Sequence, residues 1–383
     1  MIIREPGELR IFLSGYYGQK NTGDDALAAV ICWGLHKYLK PMYIDIASPP
    51  LVVPNGVPIR FLPQKLFPGH LRLVKSFRLM KSNLWVLGGG SILHDTLGVN
   101  LLQKMRRTIS RYRKVARGKV IGLSLSLGPI RSQVAYRLLG DILDLMDFIA
   151  VRDEASWRLA AALGFTEKCL LSIDQAVLLP LINLPRVEVN LRKDDVPVVS
   201  VAPCDYHRFV NKTQAHLDVQ RNQAIAQALA DLARHTGISV RLIAFNGHPL
   251  YGDARAIEQI KKRLPSNKIN VIAYCANPIY AFQQIQTSTC IIATRLHAAI
   301  FAFSAGVPFI VISYHPKVKE FAKYIGVPEK YVFDADALSA DKLRASVEEI
   351  LSTPQSFHTK MPLKLAQSLA LDAFAKAAQT LGV

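Results

Sequence analysis

Short apolar segments alternate with longer helical segments along both halves of the chain, and this alternation constrains the fold most. Predicted strands at 9–13 and 83–87 precede helices in the first half, and the pattern restarts with a strand at 198–201. Between the halves, the charged and proline-containing stretch 183–197 suits a linker. Strands that alternate with helices predict parallel sheets covered by helices on both faces. We therefore expect two doubly wound α/β domains that face a cleft.

The expected domains span residues 1–185 and 196–355. An alanine- and leucine-rich helix at 361–383 follows them and could pack back on the first domain. Ligands of open α/β sheets bind outside the carboxyl ends of the strands. The residues that directly follow each predicted strand are therefore the candidates for function.

One such stretch follows the predicted strand Cys290–Thr294. Arg295 and His297 stand at the strand-to-helix turn, before an apolar helix that Gly306 ends. A guanidinium beside an imidazole at a helix N-terminus suits a phosphate or carboxylate that undergoes acid-catalysed chemistry. The alternative is a core helix flanked by a structural arginine and a surface histidine.

A glycine-rich loop follows the first strand. Gly15, Gly18 and Gly23 are followed by Asp24 and Asp25, which open a helix. Glycine allows close approach of the backbone to a ligand, but acidic residues in a first helical turn also favour the helix dipole. The loop is therefore either functional or a tight turn, and its spacing matches neither a P-loop nor a dinucleotide-binding fingerprint.

Three glycines and several polar residues follow the strand at 83–87. Close backbone approach at this point would serve either a ligand or the packing of the next helix. The residues in question are Gly88, Gly89, Gly90, Ser91, His94 and Asp95. Arg152 likewise follows a strand, where it could face a ligand or pair with Asp153 or Glu154.

The chain has 383 residues and a net charge of +18, which indicates an anionic partner. No acidic residue occurs from Thr96 to Gly140, and the helix predicted at 101–116 is strongly basic apart from an apolar stripe. This helix is either a solvated surface or a contact with anionic lipid headgroups. Nucleic acid is not expected, because no RNA or DNA motif is visible. The stripe is predicted at Leu101, Met105, Ile109, Tyr112 and Ala116.

The remaining composition favours the cytoplasm. The first ten residues lack the apolar core of a signal peptide, and Gly306 and Pro308 interrupt the longest apolar run. The five cysteines are scattered without metal-ligand spacing, so neither a metal nor a disulfide framework is expected.

Several motifs, taken together, resemble the polysaccharide pyruvyl transferase family. They are GYYGQKNTGDDAL, VLGGGSILHD, LGPI, VRDEASWRLAAALGF and RLHAAIFAFSAGVPFIVISYHPKVKEF, and the resemblance runs from about Leu9 to Ile325. It implies two Rossmann-like domains of the GT-B kind, with the acceptor on the N-terminal side and the donor on the C-terminal side. It also implies transfer of pyruvate from phosphoenolpyruvate to two hydroxyls of a glycan, often lipid-linked, with release of phosphate and without a cofactor.

The resemblance assigns Arg295 and His297 to the donor pocket, with His297 as the candidate general acid. Members often carry an arginine where this chain has Ala202, so Arg208 or Arg152 would have to replace that cation. Candidates for the base include Asp24 and Asp25. His94 and Asp95 are alternatives, and the glycines and Ser91 would contact the acceptor or its loop.

Two other functions compete with this one. A nucleotide-sugar glycosyltransferase of the same fold would need a nucleotide pocket, for example around Phe245–His248. A non-catalytic protein could instead bind anionic glycans or nucleic acid through the basic face. For the transferase we expect a cytoplasmic location, either free or peripheral on the inner face of the membrane.

Overall fold

The computed structural model describes residues 8–96, 98–185, 187–188 and 196–383, with Ser91 described by its backbone alone. Part of the predicted linker at 183–197 lies outside these residues. The chain divides into two compact units. The first comprises Met1–Gly18, Asp24–Pro185 and Ala366–Val383, and the second comprises Gln19–Gly23 and Arg186–Leu365.

The first unit contains a seven-stranded parallel sheet. Its strands follow the order β3-β2-β1-β4-β5-β6-β7. Buried side chains fill both faces of its inner strands, as parallel sheets covered by helices require. The strands are β1 (Arg10–Ser14), β2 (Tyr43–Ile46), β3 (Ile59–Arg60), β4 (Leu84–Leu93), β5 (Lys119–Leu127), β6 (Phe148–Val151) and β7 (Cys169–Leu171).

The second unit contains a six-stranded parallel sheet in the order β10-β9-β8-β11-β12-β13. Numbered within the unit, this is 3-2-1-4-5-6, the order of a Rossmann domain. The strands are β8 (Val198–Ala202), β9 (Ser239–Ile243), β10 (Ile269–Ile272), β11 (Cys290–Ala293), β12 (Phe309–Ser313) and β13 (Val332–Asp334).

Helices connect the strands of both sheets. In chain order they are α1 (Thr22–Leu39), α2 (His70–Lys81), α3 (Asn100–Val115), α4 (Gln133–Asp144), α5 (Glu154–Ala162), α6 (His207–Val210), α7 (Ala215–His235), α8 (Ala254–Lys261), α9 (Pro278–Gln286), α10 (Leu296–Ala305), α11 (Pro316–Ile325), α12 (Ala340–Ser352) and α13 (Leu363–Leu381).

Polar caps and glycines set the ends of these helices. Ser132 and Asp153 accept hydrogen bonds from backbone N–H groups in the first turns of α4 and α5. Gly306 and Gly326 end α10 and α11 with left-handed φ angles of 68° and 72°. Of these four residues, Gly306 is the one that the sequence analysis predicted as a helix end.

The C-terminal helix α13 belongs to the first unit. The Leu369 carbonyl oxygen accepts a hydrogen bond of 2.9 Å from the Ser172 hydroxyl. Phe374 is buried, and its ring stacks on Tyr38 at a centroid distance of 5.9 Å. A Cβ at Gly34 would overlap the Phe374 ring, so α1 has no side chain at the point where the two helices meet.

Two details differ from the sequence-based expectation. Strand β4 does not end before the triple glycine but continues through it to Leu93, because Gly88 and Gly90 pair with β5. Along α3, Leu102 is buried and Leu101 is 46% exposed, so the predicted apolar stripe is wrong by one residue at its start. Leu102 shares the inner helix face with Ile109 and Tyr112.

Candidate active site

Both sheets have a switch point, where the strand order reverses. It lies between β1 and β4 in the first unit and between β8 and β11 in the second. Crevices at such points are the usual ligand sites of open α/β sheets. In the second unit, Ala202 and Ala293 are paired at the carboxyl ends of β8 and β11. The segment that contains Arg295 and His297 therefore starts at the switch point, where a ligand site is expected.

Arg295 is the N-cap residue of α10 and is held by a buried carboxylate. Its Nε donates to Asp253 Oδ1 at 3.1 Å, and its Nη2 contacts the same oxygen. Asp253 also accepts from the backbone N–H groups of Phe245 and Asn246, at 2.9 and 2.8 Å. Burial alone would lower the pKa of Arg295, but the Asp253 carboxylate raises it, so the guanidinium stays charged. The side chain is 17% exposed.

His297 is the second residue of α10 and packs on Gly23. A Cβ at Gly23 would overlap the imidazole, so a side chain there would have to displace His297. The segment 19–23 is held in the second unit by backbone hydrogen bonds, from Thr22 N–H to the Phe245 carbonyl and from Gly247 N–H to the Lys20 carbonyl, both 2.9 Å. The glycine loop thus contributes to the surroundings of His297.

Aromatic and thiol groups lie close to Arg295. Burial raises the pKa of Tyr314, and the nearby Cys204 adds to this rise. Burial likewise raises the pKa of Cys204. Both groups are therefore neutral at physiological pH, and the Tyr314 phenol can act as a hydrogen-bond donor. The Tyr206 ring packs against Tyr314 at a centroid distance of 4.8 Å.

Arg208 lies in α6, after the end of β8. Its Nη1 is 3.3 Å from Asp205 Oδ2, and its side chain is 30% exposed. Its backbone N–H donates to Asp218 at 2.9 Å. Ala202, which stands where family members often carry an arginine, is buried in β8. If Arg208 replaces the missing arginine, its charge comes from the segment after β8 and not from the strand itself. Arg208 shares the Asp205 carboxylate with Arg255, whose Nη1 lies 3.6 Å from Asp205 Oδ2.

In the first unit, the glycines at the switch point make room for protein groups. A Cβ at Gly15 or Gly88 would overlap Tyr17. At Gly89 a Cβ would lie 2.8 Å from the Leu27 side chain of α1. At Gly18 it would lie 2.5 Å from the Ser48 hydroxyl oxygen. Close packing within the unit thus explains these four glycines without a ligand.

Asp24 and Asp25 differ in their surroundings. Asp25 is buried and accepts a 2.8 Å hydrogen bond from the Gly18 N–H, so it fixes the loop. Asp24 is half-buried, and its Oδ1 lies 3.6 Å from the position of a Cβ on Gly90. Burial raises the pKa of Tyr17, and both carboxylates add to this rise, so they lie near its ring.

Asp95 has a structural role. Its carboxylate accepts from the Arg131 and Ser132 N–H groups and from the Ser132 hydroxyl, at 2.9–3.1 Å. Burial alone would raise its pKa, but these hydrogen bonds lower it. His94 accepts a 3.2 Å hydrogen bond from the Thr96 N–H through Nδ1 and is half-buried.

Arg152 is buried and pairs with Asp174 at 2.7 Å. This partner is neither of the two neighbours that the sequence suggested. The pair joins the end of β6 to the 3₁₀ helix 175–181, and it lies in the first unit, whereas Arg295 lies in the second.

Sequence reasoning missed several residues around Arg295 and His297 in the second unit: Gly23 as a support for His297, Cys204, Asp253 and Tyr314. Only Gly23 had a local signal, as part of the glycine loop. The partner of Arg295 is 42 residues away along the chain, and no periodic pattern marks such a pair.

The described residues contain neither a metal-binding cluster nor a helix suited to span a membrane. No cluster of three or more histidine, cysteine or acidic side chains is arranged to hold a metal ion. No helix in the described ranges combines the length and apolarity that a membrane span needs.

Solved structures with a similar fold are distant in sequence. The UDP-GlcNAc 2-epimerase of Methanocaldococcus jannaschii has 12% identity and a TM-score of 0.59, over 97% of this chain and 98% of that one. S. aureus MnaA bound to UDP has 12% identity and a TM-score of 0.59, over 97% and 94%. Anabaena HepE, bound to UDP and glucose, has 12% identity and a TM-score of 0.56, over 98% and 97%.

These likenesses confirm the predicted fold class, two Rossmann-like domains of the GT-B kind. A search of curated proteins found no significant match. The model of one family, polysaccharide pyruvyl transferase, matches residues 21–316, which include Gly23, Arg295 and His297. Because this match covers more than half of the sequence, the chain belongs to the polysaccharide pyruvyl transferase family.

Proposed function

We propose that this protein transfers pyruvate from phosphoenolpyruvate to two hydroxyls of a glycan sugar, in the synthesis of a surface polysaccharide or cell wall. The products are a cyclic pyruvate ketal and inorganic phosphate. The observation that carries the proposal is the position of Arg295 and His297 at the switch point of the second sheet, within the family match. The five cysteines are unpaired, which suits the cytoplasm that we propose as its location.

The donor would bind at the N-terminus of α10. Phosphoenolpyruvate carries a phosphate and a carboxylate, and both need cations or N–H donors. The Arg295 side chain, which is 17% exposed, and the first-turn N–H groups of α10 can supply them. Of the two suggested replacements for the arginine that Ala202 lacks, Arg208 lies in the same unit as Arg295, so we assign that charge to Arg208.

We assign the first proton transfer to His297. A protonated imidazole would donate its proton to C3 of phosphoenolpyruvate and so create an oxocarbenium centre at C2. One sugar hydroxyl then bonds to C2 and loses its proton. The C2–O bond to phosphate breaks, a second hydroxyl bonds to C2, and its proton is lost with closure of the ketal. The two protons released balance the one added to C3 and the one taken up by phosphate.

Asp24 is the stronger candidate for the base that takes these protons. It is half-buried beside Gly90, whereas Asp25 is committed to the Gly18 N–H and Asp95 to the turn at 131–132. His94 and Ser91 remain candidates for contact with the acceptor. Arg152 is better explained by its buried ion pair with Asp174 than by donor binding.

The reaction can be tested with phosphoenolpyruvate and a panel of glycan acceptors. We expect acceptor-dependent release of phosphate and a new ketal methyl signal in the product by NMR. His297→Gln should remove both, while the exposed His358→Gln, in the same unit, should not. Phosphate release without ketal formation would contradict the proposal.

A UDP-sugar glycosyltransferase is the second candidate, because the similar folds include proteins bound to UDP. The loop suggested for its nucleobase offers little support. Phe245 is buried against Phe301, and the N–H groups of Phe245 and Asn246 already donate to Asp253.

A further inference from the structure

The outer side of α2 and the segment before it expose large apolar side chains. Leu73 and Phe77 are 65% and 61% exposed and, four residues apart, lie on one face of α2. Leu66 and Phe67, just before this helix, are 77% and 49% exposed. Scattered exposed leucines are ordinary, but four large exposed apolar side chains within twelve residues are a concentration that indicates contact with another surface. We call these four residues the apolar patch.

A groove of about 580 Å³ lies between α2 and α3. Its floor includes the apolar side chains of Leu79, Trp85 and Met105. Five cations line it, and no acidic residue does. We call them the cationic rim: Arg72, Lys75, Lys104, Arg107 and Arg111.

The charge of the rim is not neutralised. Among the residues that the structure describes, none of its five cations forms an ion pair, whereas their neighbours Arg78, Arg106 and Arg113 pair with aspartates. Rim and patch share α2, so uncompensated positive charge and exposed apolar surface occur on one helix. An anionic bilayer is complementary to both features, because its headgroup phosphates can bind the cations and its apolar layer can take up the apolar side chains.

We propose that the apolar patch and the cationic rim together form a docking surface for an anionic phospholipid bilayer. Phe77 and Leu73 enter the acyl boundary, and the rim binds headgroup phosphates. This surface differs from the one expected from sequence, because α2 supplies the apolar contact and α3 mainly the charge. Nucleic acid explains the rim but not the patch. The proposal goes beyond the transfer reaction and does not depend on the donor.

Vesicle co-sedimentation of the full chain tests the proposal. We expect binding to phosphatidylcholine vesicles that contain about 30% phosphatidylglycerol, weak binding to phosphatidylcholine alone, and loss of binding as salt is raised. Lys75→Gln with Arg107→Gln should weaken binding about 25-fold, at roughly fivefold per cation. Leu73→Ser with Phe77→Ser should weaken it by about tenfold or more.

Matched controls lie in the second unit. Lys262→Gln with Arg263→Gln removes two exposed cations, and Leu250→Ser removes a side chain that is 67% exposed. Neither should change vesicle binding. The proposal would be overturned by an equal loss of binding in the control variants or by equal binding to neutral vesicles. It would also be overturned if a DNA or RNA duplex bound more tightly and outcompeted the vesicles. Phosphate release with a water-soluble acceptor should persist in the patch variants, so failure of docking is distinguishable from failure of the proposed reaction.

Discussion

The contact between His297 and Gly23 links two sequence motifs that are far apart in the chain. The imidazole occupies the space that a side chain at position 23 would need. Gly23 therefore positions the His297 ring, the proposed acid, although it contributes no functional group itself. Such a positioning role is consistent with the strong dependence of proton transfer on geometry.

We predict that Gly23→Ala displaces the imidazole and lowers kcat by about 10²-fold, because a misplacement of roughly 1 Å can cost that much. KM for phosphoenolpyruvate should change little, since Arg295 is untouched. Steady-state phosphate release measures both constants. Gly237→Ala is the control, since a Cβ there would meet only Val196 at 4.0 Å. A wild-type kcat for Gly23→Ala would contradict the role assigned to this contact.

At this scale, the sequence predicted the positions of Arg295 and His297 after a strand but not their neighbours. Asp253 precedes α8 and Tyr314 follows β12, and only the tertiary fold brings them to Arg295. The glycines of the first unit were ambiguous for a related reason. A glycine signals close approach in the sequence, but it does not say whether the approaching group is a ligand or Tyr17.

At the scale of elements, a buried carboxylate on α7 fixes the segment that follows β8. Asp218 accepts from the N–H groups of Tyr206 and Arg208 at 3.0 and 2.9 Å, and from Arg221 Nη2 at 2.9 Å. Burial alone would raise its pKa, but these hydrogen bonds and the Arg221 charge lower it below its usual range. The position of Arg208 therefore depends on this helix.

We expect Asp218→Asn to lower the free energy of unfolding by about 3–5 kcal/mol at neutral pH, because Arg221 would lose its buried partner. A depressed native pKa contributes stability above the unfolded value of about 3.9, and this contribution is lost as pH falls through the lower native pKa. The difference from wild type should therefore shrink below about pH 3.9. Urea unfolding at neutral pH and below about pH 3.9 measures this difference in free energy of unfolding. Asp231→Asn, which removes a more exposed ion pair on the same helix, should cost about 1 kcal/mol or less. A loss of stability that is the same at both pH values would contradict a lowered pKa of Asp218 in the folded protein.

The alternation of strands and helices was sufficient to predict both parallel sheets, but not every element. Strands β3, β7 and β13 have only two or three residues and lie at or near sheet edges, too short for a periodic signal. Helix α4 was also missed, although Ser132 as its cap and the buried Leu139 and Leu143 on one face are visible in the sequence. The course of β4 through three glycines could not be predicted, because glycine usually interrupts strands.

At the scale of the whole molecule, the chain returns to its first unit at the end. Helix α13 packs there through Phe374, against Tyr38 and above Gly34. The sequence indicated the helix and suggested that it could pack back on the first domain, but it did not show which side chains make the contact. Shape decided the outcome, since Gly34 leaves a space that an aromatic ring fills.

We predict that Phe374→Ala lowers the free energy of unfolding by about 3–5 kcal/mol, the cost of a large cavity in a packed core. Chemical denaturation followed by circular dichroism measures this loss. On the same helix, Leu365→Ala should cost far less, because that side chain is 49% exposed. Equal effects of the two substitutions would mean that α13 does not pack as described.

Ligand-dependent thermal unfolding tests the central claim, a phosphoenolpyruvate site at Arg295, most directly. Phosphoenolpyruvate at about 100 times its dissociation constant should add roughly 2.7 kcal/mol and raise Tm by about 5 °C or more, while UDP at matched ionic strength should not. Arg295→Lys keeps a charge beside the buried Asp253 but loses the forked contact, so it should fold and respond much less. The exposed Arg263→Lys, in the same unit, should respond like wild type. Stabilisation by UDP and not by phosphoenolpyruvate would contradict the account and favour a nucleotide-sugar glycosyltransferase.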